Sequence, residues 1–119
     1  MKPTRLYGIP NCDTVKKARA WLVAQGVEHE FVDFKKAGAS AGQLQGWCDG
    51  LGWERVLNRQ GTTWRKLDGA TQAAVVDAAS ACALMQQQTS VIKRPVVEWA
   101  DGALTVGFSA PDWEARVRR

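Results

Sequence analysis

Apolar and polar positions along the chain follow two periods, which predict a mixture of β-strands and α-helices. Short apolar or alternating segments favour strands, and apolar residues that recur every three or four positions favour helices. Strands are predicted over residues 4–9, 30–34, 96–99 and 103–107, the last two flanking the turn sequence Ala100-Asp101-Gly102. Helices are predicted over residues 14–25, 41–51, 53–57, 71–79 and 81–87 and from residue 110 onward, with polar turns over 35–39 and 58–63.

The order of these elements is β-α-β, then several helices, then a β-hairpin and a closing helix. Two strands joined by a helix are expected to be parallel, because the crossover returns the chain to the same end of the sheet. This is the order of thioredoxin-like folds. We therefore predict an α/β, thioredoxin-like fold (β-α-β plus ββα) in a single domain over residues 1–119, with residues 40–90 as a helical insertion between the two halves.

Composition supports a soluble globular domain. The 119 residues are 45% hydrophobic and 24% charged, and no apolar run approaches the roughly 18 residues of a membrane helix. The N-terminal residues lack the apolar core of a signal peptide, so a cytoplasmic location is expected. The net charge of +4 is scattered rather than concentrated in a basic arm. We therefore expect neither a membrane nor a nucleic acid as partner.

The three cysteines are widely spaced, and the chain has one histidine. No Cys-x-x-Cys pair occurs, which argues against a zinc site, and no metal is expected. Cys48 and Cys82 fall among apolar residues of predicted helices and are interpreted as core residues, although a resolving role for either thiol stays open. His29 stands between two glutamates and is predicted to lie on the surface.

Cys12 is the sharpest chemical feature of the sequence. It follows the first strand and directly precedes a helix, where free backbone N–H groups and the helix dipole stabilise negative charge. Such a position favours a reactive thiolate. Lys16 and Lys17 add positive charge one turn later, whereas Asp13 opposes it. The alternative is a small buried apolar side chain.

Two arginines are candidates for binding an anion. Arg94 precedes Pro95, which restricts Arg94 to extended backbone, and in a thioredoxin-like order this proline falls where the fold keeps a cis proline beside the reactive thiol. Arg94 would then face Cys12 and offer a planar cation to an oxyanion or thiolate. Arg59 lies in a polar, glycine-containing segment that could close over a site. The alternatives are a solvated arginine before an edge strand and an ordinary surface loop.

Three motifs together are characteristic of one family. They are YGIPNCDTVKKA over residues 7–18, LNRQGTTWRKL over 57–67 and IKRPV over 92–96. In this order they resemble the arsenate reductase-like (ArsC) family of the Spx and YffB type, and the similarity spans nearly the whole chain. The YffB-like branch, described as glutathione-dependent thiol reductases, is the most similar.

The resemblance implies specific roles. In the glutaredoxin-coupled arsenate reductases, the cysteine at the position of Cys12 attacks arsenate, and arginines at the positions of Arg59 and Arg94 hold the oxyanion. A third arginine of those enzymes aligns near Gly107, where this chain has none. Those enzymes usually have glycine after the cysteine, whereas this chain has Asp13. Both departures weigh against arsenate as the substrate.

The same resemblance raises a second alternative, a regulator of the Spx kind that binds RNA polymerase. Most Spx proteins carry a Cys-x-x-Cys redox switch, and Val15 stands at the second cysteine position here. Without a local second thiol, an external thiol has to resolve a mixed disulfide on Cys12.

We therefore predict a monothiol oxidoreductase, with a glutaredoxin-coupled arsenate reductase and an Spx-like regulator as alternatives. Cys12 and Arg94 are the predicted catalytic residues. The predicted substrate-binding residues are Arg59, Asn11, Thr14 and Pro95. No bound cofactor is expected. Glutathione is the expected co-substrate, glutathione or glutaredoxin the expected partner, and a small anion or thiol compound the expected substrate.

Overall fold

The strands of the computed structural model, which describes residues 3–117, form one mixed sheet. The four strands are β1 (Thr4–Gly8), β2 (His29–Asp33), β3 (Val96–Glu98) and β4 (Leu104–Val106), in the order β2-β1-β3-β4. β1 pairs in parallel with β2 and antiparallel with β3, which pairs antiparallel with β4. The parallel pair and the hairpin confirm the predicted thioredoxin-like order of strands.

The helices of the described chain follow from capping residues and from apolar faces. They are α1 (Asp13–Ala24), α2 (Phe34–Ala37), α3 (Ala41–Leu51), α4 (Trp53–Val56), α5 (Thr62–Lys66), α6 (Gly69–Ala73), α7 (Ala78–Gln87) and α8 (Ala110–Val117). A 3₁₀ turn covers Thr89–Val91. None of the helices within residues 3–117 has the length and hydrophobicity needed to cross a membrane.

One compact unit comprises the described residues of 1–33 and 94–119 and contains the sheet, α1 and α8. Its core is built on an apolar face of α1, on Trp113 of α8 and on aromatic residues that follow β3 and β4. Trp113 lies at the centre of this aromatic group, with ring centroids 5.0 Å from Trp99, 4.7 Å from Phe108 and 5.8 Å from Trp21. The buried members are Leu6, Val15, Ala18, Leu22, Val97, Trp99 and Trp113. This core fixes α1, and with it the residue that precedes α1.

The second compact unit, residues 34–93, is helical. α3 packs against α7, and α4 contacts both of them. Ser40 begins α3 by accepting a hydrogen bond at Oγ from the Gln43 N–H, at 3.1 Å, as its N-cap position predicts. Near the end of the unit, the Lys93 N–H donates to the Val56 carbonyl oxygen at 2.7 Å.

Two segments predicted to be turns are partly helical. The stretch over 35–39 contains most of α2, which begins at Phe34 and so removes Phe34 from the end of β2. The Phe34 side chain is fully buried, so its burial, which a local pattern does not specify, accounts for the difference. The stretch over 58–63 contains the start of α5 at Thr62.

The predicted helix break near Ser80 is also wrong. α7 begins at Ala78, because Asp77 and Ser80 form a capping box in which the Ser80 N–H donates to the Asp77 carboxylate at 2.9 Å. Ser80 therefore stabilises the first turn of the helix instead of interrupting it. The preceding helix, α6, ends at Ala73.

Gly8 permits the close approach of β1 and α1. A Cβ atom at Gly8 would lie 2.7 Å from Cγ2 of Val15, and Val15 is fully buried. A β-branched side chain in a helix has little rotamer freedom, so Val15 cannot yield without moving α1.

We therefore expect Gly8→Ala to lower the free energy of unfolding by about 1–3 kcal/mol, the usual cost of overpacking a core. Urea denaturation measures the change. Gly46→Ala is the matched control, because Gly46 lies within α3 and a Cβ atom there would contact nothing within 4 Å. The control should be neutral or slightly stabilising. Equal stability of Gly8→Ala and the wild type would contradict the close approach.

Candidate active site

Cys12 is the N-cap residue of α1 and has extended backbone dihedrals, φ −98° and ψ 123°. Its N–H donates to the Ile9 carbonyl oxygen at 3.4 Å, and its carbonyl oxygen accepts the first helical hydrogen bond, from the Lys16 N–H at 2.9 Å. The side chain is partly buried and packs against the core of the unit. The turn and the helix together hold the sulfur at the start of α1.

The electrostatic setting of this position favours an anion. The Cys12 side chain makes no capping hydrogen bond, and the first N–H groups of a helix have no partners within the helix. A negatively charged group at this end also interacts favourably with the helix dipole. Asp13 occupies the first turn as well and is exposed, so it adds a negative charge next to the thiol.

The Arg94–Pro95 peptide bond is cis, as expected for a proline at this point of a thioredoxin-like fold. Tyr7 of β1 pairs with Val96 of β3, so Pro95 lies at the edge of the sheet where β1 ends. Cys12 follows the same end of β1, which places both residues at one edge. Pro95 is buried and Arg94 is partly buried.

Gly107 joins this edge from the end of β4. Its N–H donates to the Pro95 carbonyl oxygen at 2.9 Å. Its φ of 82° lies in the left-handed region, which side chains with a Cβ rarely adopt. The backbone at Gly107, near which the resemblance aligns a third arginine, is therefore shaped for glycine and linked directly to the cis proline.

A side-chain hydrogen bond links β1 to β3. The Tyr7 hydroxyl donates to Oε1 of Glu98 at 2.7 Å. Burial, and then the neighbouring carboxylate, raises the pKa of Tyr7, so the hydroxyl stays protonated and continues to donate. Sequence reasoning missed Tyr7, Glu98 and Gly8. The only available signal was the quoted motif around Cys12, which begins at Tyr7 and Gly8.

The remaining predicted site residues fall in two places. Asn11 lies in the turn before α1 and Thr14 in its first turn, and both are exposed. Arg59 lies in the helical unit, where Nη2 is 3.4 Å from Oε2 of Glu54 and the guanidinium stacks over the Trp53 ring at 5.5 Å. An ion pair between exposed groups is weak, so this arginine can exchange its carboxylate for another anion. Its role in binding stays a prediction.

Cys48 and Cys82 lie in the helical unit and are 5% and 8% exposed, which agrees with the interpretation of both as core residues. Their sulfurs are 3.3 Å apart. Burial, followed by the contact with Cys82, raises the pKa of the Cys48 thiol to about 12. Cys48 is therefore a neutral thiol at neutral pH, in contrast to the nucleophile that the site requires.

His29 is not the surface residue that the sequence predicts. It is partly buried at the start of β2, and its Nε2 atom is buried without a hydrogen-bond partner in the described chain. Parallel pairing of His29 with Thr4 places it in an outer strand of the sheet rather than on a polar loop. Across residues 3–117, no group of three or more His, Cys, Asp or Glu side chains could hold a metal ion.

Comparison with known proteins identifies the family of this chain. The model of the ArsC family matches residues 7–116. The chain belongs to the ArsC family. This confirms the resemblance and the prediction of an oxidoreductase of the arsenate reductase-like, thiol reductase type.

Individual relatives agree with this assignment. An uncharacterized protein of Haemophilus influenzae is 34% identical over 110 residues, which cover 92% of this chain and 95% of the relative. A solved structure of a YffB (PA3664) protein has 48% identity and a TM-score of 0.88, covering 94% of this chain and 96% of that one. The structure of an arsenate reductase (ArsC) related protein from Brucella melitensis has 47% identity and a TM-score of 0.76, covering 99% of this chain and 97% of that one.

Proposed function

We propose that this ArsC-family chain is a glutathione-dependent thiol reductase that uses Cys12 as its single nucleophile. The observation that carries the proposal is the contrast among the three cysteines. Cys12 lies at a helix N-terminus beside the edge that holds the cis proline. Cys48 and Cys82 are buried elsewhere, in the helical unit.

The proposed reaction has three exchange steps, of which the first two take place at Cys12. The Cys12 thiolate attacks one sulfur of a substrate disulfide, the substrate S–S bond breaks, and the departing thiolate takes up a proton. Cys12 is then held in a mixed disulfide. A glutathione thiolate attacks the substrate sulfur of that bond, Cys12 leaves as a thiolate, and a mixed disulfide of glutathione and substrate is released. A second glutathione thiolate attacks the glutathione sulfur of this mixed disulfide, which yields glutathione disulfide and expels the second half of the substrate as a thiolate that takes up a proton.

An external thiol is favoured because α1 offers no resolving cysteine. Val15 occupies the position that would complete a Cys-x-x-Cys motif, and it is fully buried against β1. The same substitution weighs against an Spx-like redox switch. Glutathione carries two carboxylates, and Arg94, partly buried directly before Pro95, offers a planar cation suited to bind one of them.

Comparing two electron donors tests the glutathione dependence. Turnover of a small disulfide is followed with glutathione and, separately, with 2-mercaptoethanol, which lacks carboxylates. Replacing Arg94 with alanine should lower kcat/KM for glutathione about tenfold to a hundredfold, because a hydrogen bond to a charged group contributes about 1.5–3 kcal/mol. The value for 2-mercaptoethanol should change far less.

Two variants separate binding from folding. Lys93→Ala removes one positive charge from the neighbouring, exposed residue and keeps its backbone hydrogen bond, so it should leave the donor preference intact. Arg94→Lys keeps the charge but not the planar guanidinium and should lie between the wild type and Arg94→Ala. Equal losses with both donors would mean that Arg94 acts on the Cys12 thiolate or on folding, and would remove the basis for glutathione recognition.

A further inference from the structure

Two cysteines outside the proposed active site approach each other closely. Cys48 in α3 and Cys82 in α7 place their sulfurs 3.3 Å apart in the helical unit, although 34 positions separate them in the chain. Both are free thiols. A disulfide bond is about 2.05 Å long, so the sulfurs need to approach by little more than about 1 Å to form one.

The elements that carry this pair are well defined. α3 is capped by Ser40, and α7 begins with the capping box of Asp77 and Ser80. The two helices pack directly against each other, and Trp47 and Ala81, the residues next to the cysteines, are also buried. The pair is therefore held by packed helices rather than by loops, and the contact is present before any oxidation takes place.

We propose that Cys48 and Cys82 form a site of oxidative modification, in which a peroxide converts the two thiols into a disulfide that links α3 to α7. One sulfur, as a thiolate, attacks a peroxide oxygen; the O–O bond breaks, water leaves and a sulfenic acid forms. The second sulfur attacks the first, displacing water and forming the S–S bond. Two electrons pass from the thiols to one hydrogen peroxide, which becomes two waters.

The proximity of the second thiol directs the product. A sulfenic acid beside a thiol at contact distance reacts within the molecule, before a second peroxide arrives. Burial makes the first step slow, since Cys48 is held as the neutral thiol and only a small oxidant reaches a site that is less than a tenth exposed. Both sulfurs of the pair are less accessible to an oxidant than that of the partly exposed Cys12.

The disulfide would join two points of the chain that are far apart in sequence. Closing a loop of this length restricts the unfolded chain more than the folded one. We expect oxidation to raise the midpoint of thermal unfolding by on the order of 10 °C. The gain should be reversed by a strong reductant under denaturing conditions and only slowly by glutathione under native conditions.

The test uses the full chain carrying Cys12→Ser, so that only the two buried thiols can react. Folded protein is exposed to hydrogen peroxide, remaining thiols are alkylated, and non-reducing peptide mass spectrometry identifies the products. The expected result is a peptide pair joined through Cys48 and Cys82, loss of two hydrogens in the intact mass, and the rise in thermal midpoint.

Cys48→Ala and Cys82→Ala in the same background are the matched controls and should show neither the joined peptides nor the rise. Three results would overturn the proposal. The first is that both thiols remain unoxidised, and are therefore alkylated, after prolonged exposure of the folded protein to peroxide. The others are sulfinic acid as the main product and disulfides between molecules. The peroxide treatment is repeated in urea. A disulfide that forms in urea but not in the folded protein would show that the native arrangement of the two sulfurs prevents the bond, which also contradicts the proposal.

Discussion

Replacing Cys12 with serine is expected to lower glutathione-dependent disulfide reduction by about a thousandfold or more, the order of loss seen when a covalent nucleophile is removed. A serine hydroxyl stays protonated at neutral pH and does not form the mixed disulfide through which the exchange runs. The loss should appear in kcat, because no other described cysteine has a comparable setting. The oxidation of NADPH by glutathione reductase, which consumes the glutathione disulfide produced, measures the rate.

The control for this result lies in the other unit. Cys82→Ala also removes one thiol, but from the helical unit, so it leaves α1 and the sheet unchanged. It should retain the wild-type rate per folded molecule. Loss of activity in Cys82→Ala with retention in Cys12→Ser would reverse the assignment of the nucleophile.

Arsenate reduction is expected to be absent or very weak, about 10²–10³-fold slower than in an enzyme with all three arginines, the usual effect of losing one donor to a reacting oxyanion. Arsenate carries negative charge at neutral pH and must approach a negative thiolate, so the site has to concentrate cations. The resemblance gives the glutaredoxin-coupled enzymes three arginines. Only Arg59 and Arg94 match here, and Asp13 adds a carboxylate beside Cys12.

The backbone at Gly107 agrees with the absence of a third arginine. At the place of the third arginine, Gly107 adopts a positive φ and donates its N–H to the Pro95 carbonyl. This backbone position links β4 to the cis proline and suits no arginine. Disulfide exchange should survive where arsenate reduction fails, because no oxyanion develops at the attacked sulfur.

Both substrates are compared in one NADPH-coupled assay, with glutathione and glutaredoxin at fixed concentrations. Disulfide turnover without arsenate turnover is the expected result. Vigorous arsenate turnover that disappears in Cys12→Ser would instead assign the protein to the arsenate reductases proper.

Local patterns account for the features that the sequence predicted correctly. Apolar spacing and Gly26 identified α1, Ser40 marked the start of α3, and the turn at Ala100-Asp101-Gly102 identified the hairpin. Each of these signals operates within a few residues. The position of Cys12 before α1 and the cis bond at Pro95 also followed, because each depends on one junction in a known order of elements.

Features set by packing between distant segments were missed. Periodicity placed Cys48 and Cys82 on apolar faces of helices, but it does not specify which helices pack together. The 3.3 Å contact between their sulfurs could therefore not be predicted. His29 resembled a surface residue because its neighbours are acidic, yet pairing of β2 with β1 partly buries it. α2 depends on the burial of Phe34, which the alternating pattern assigned to a strand.

The assignment of Cys12 as the nucleophile is tested by identifying the cysteine that carries glutathione during turnover. Wild-type protein is mixed with a limiting glutathione mixed disulfide, quenched with acid and digested without reductant, and the modified peptide is identified by mass. We predict a stoichiometric adduct on Cys12 that free glutathione removes and that is absent from Cys12→Ser. An adduct on Cys48 or Cys82 alone, or turnover with no adduct on Cys12, would contradict this assignment.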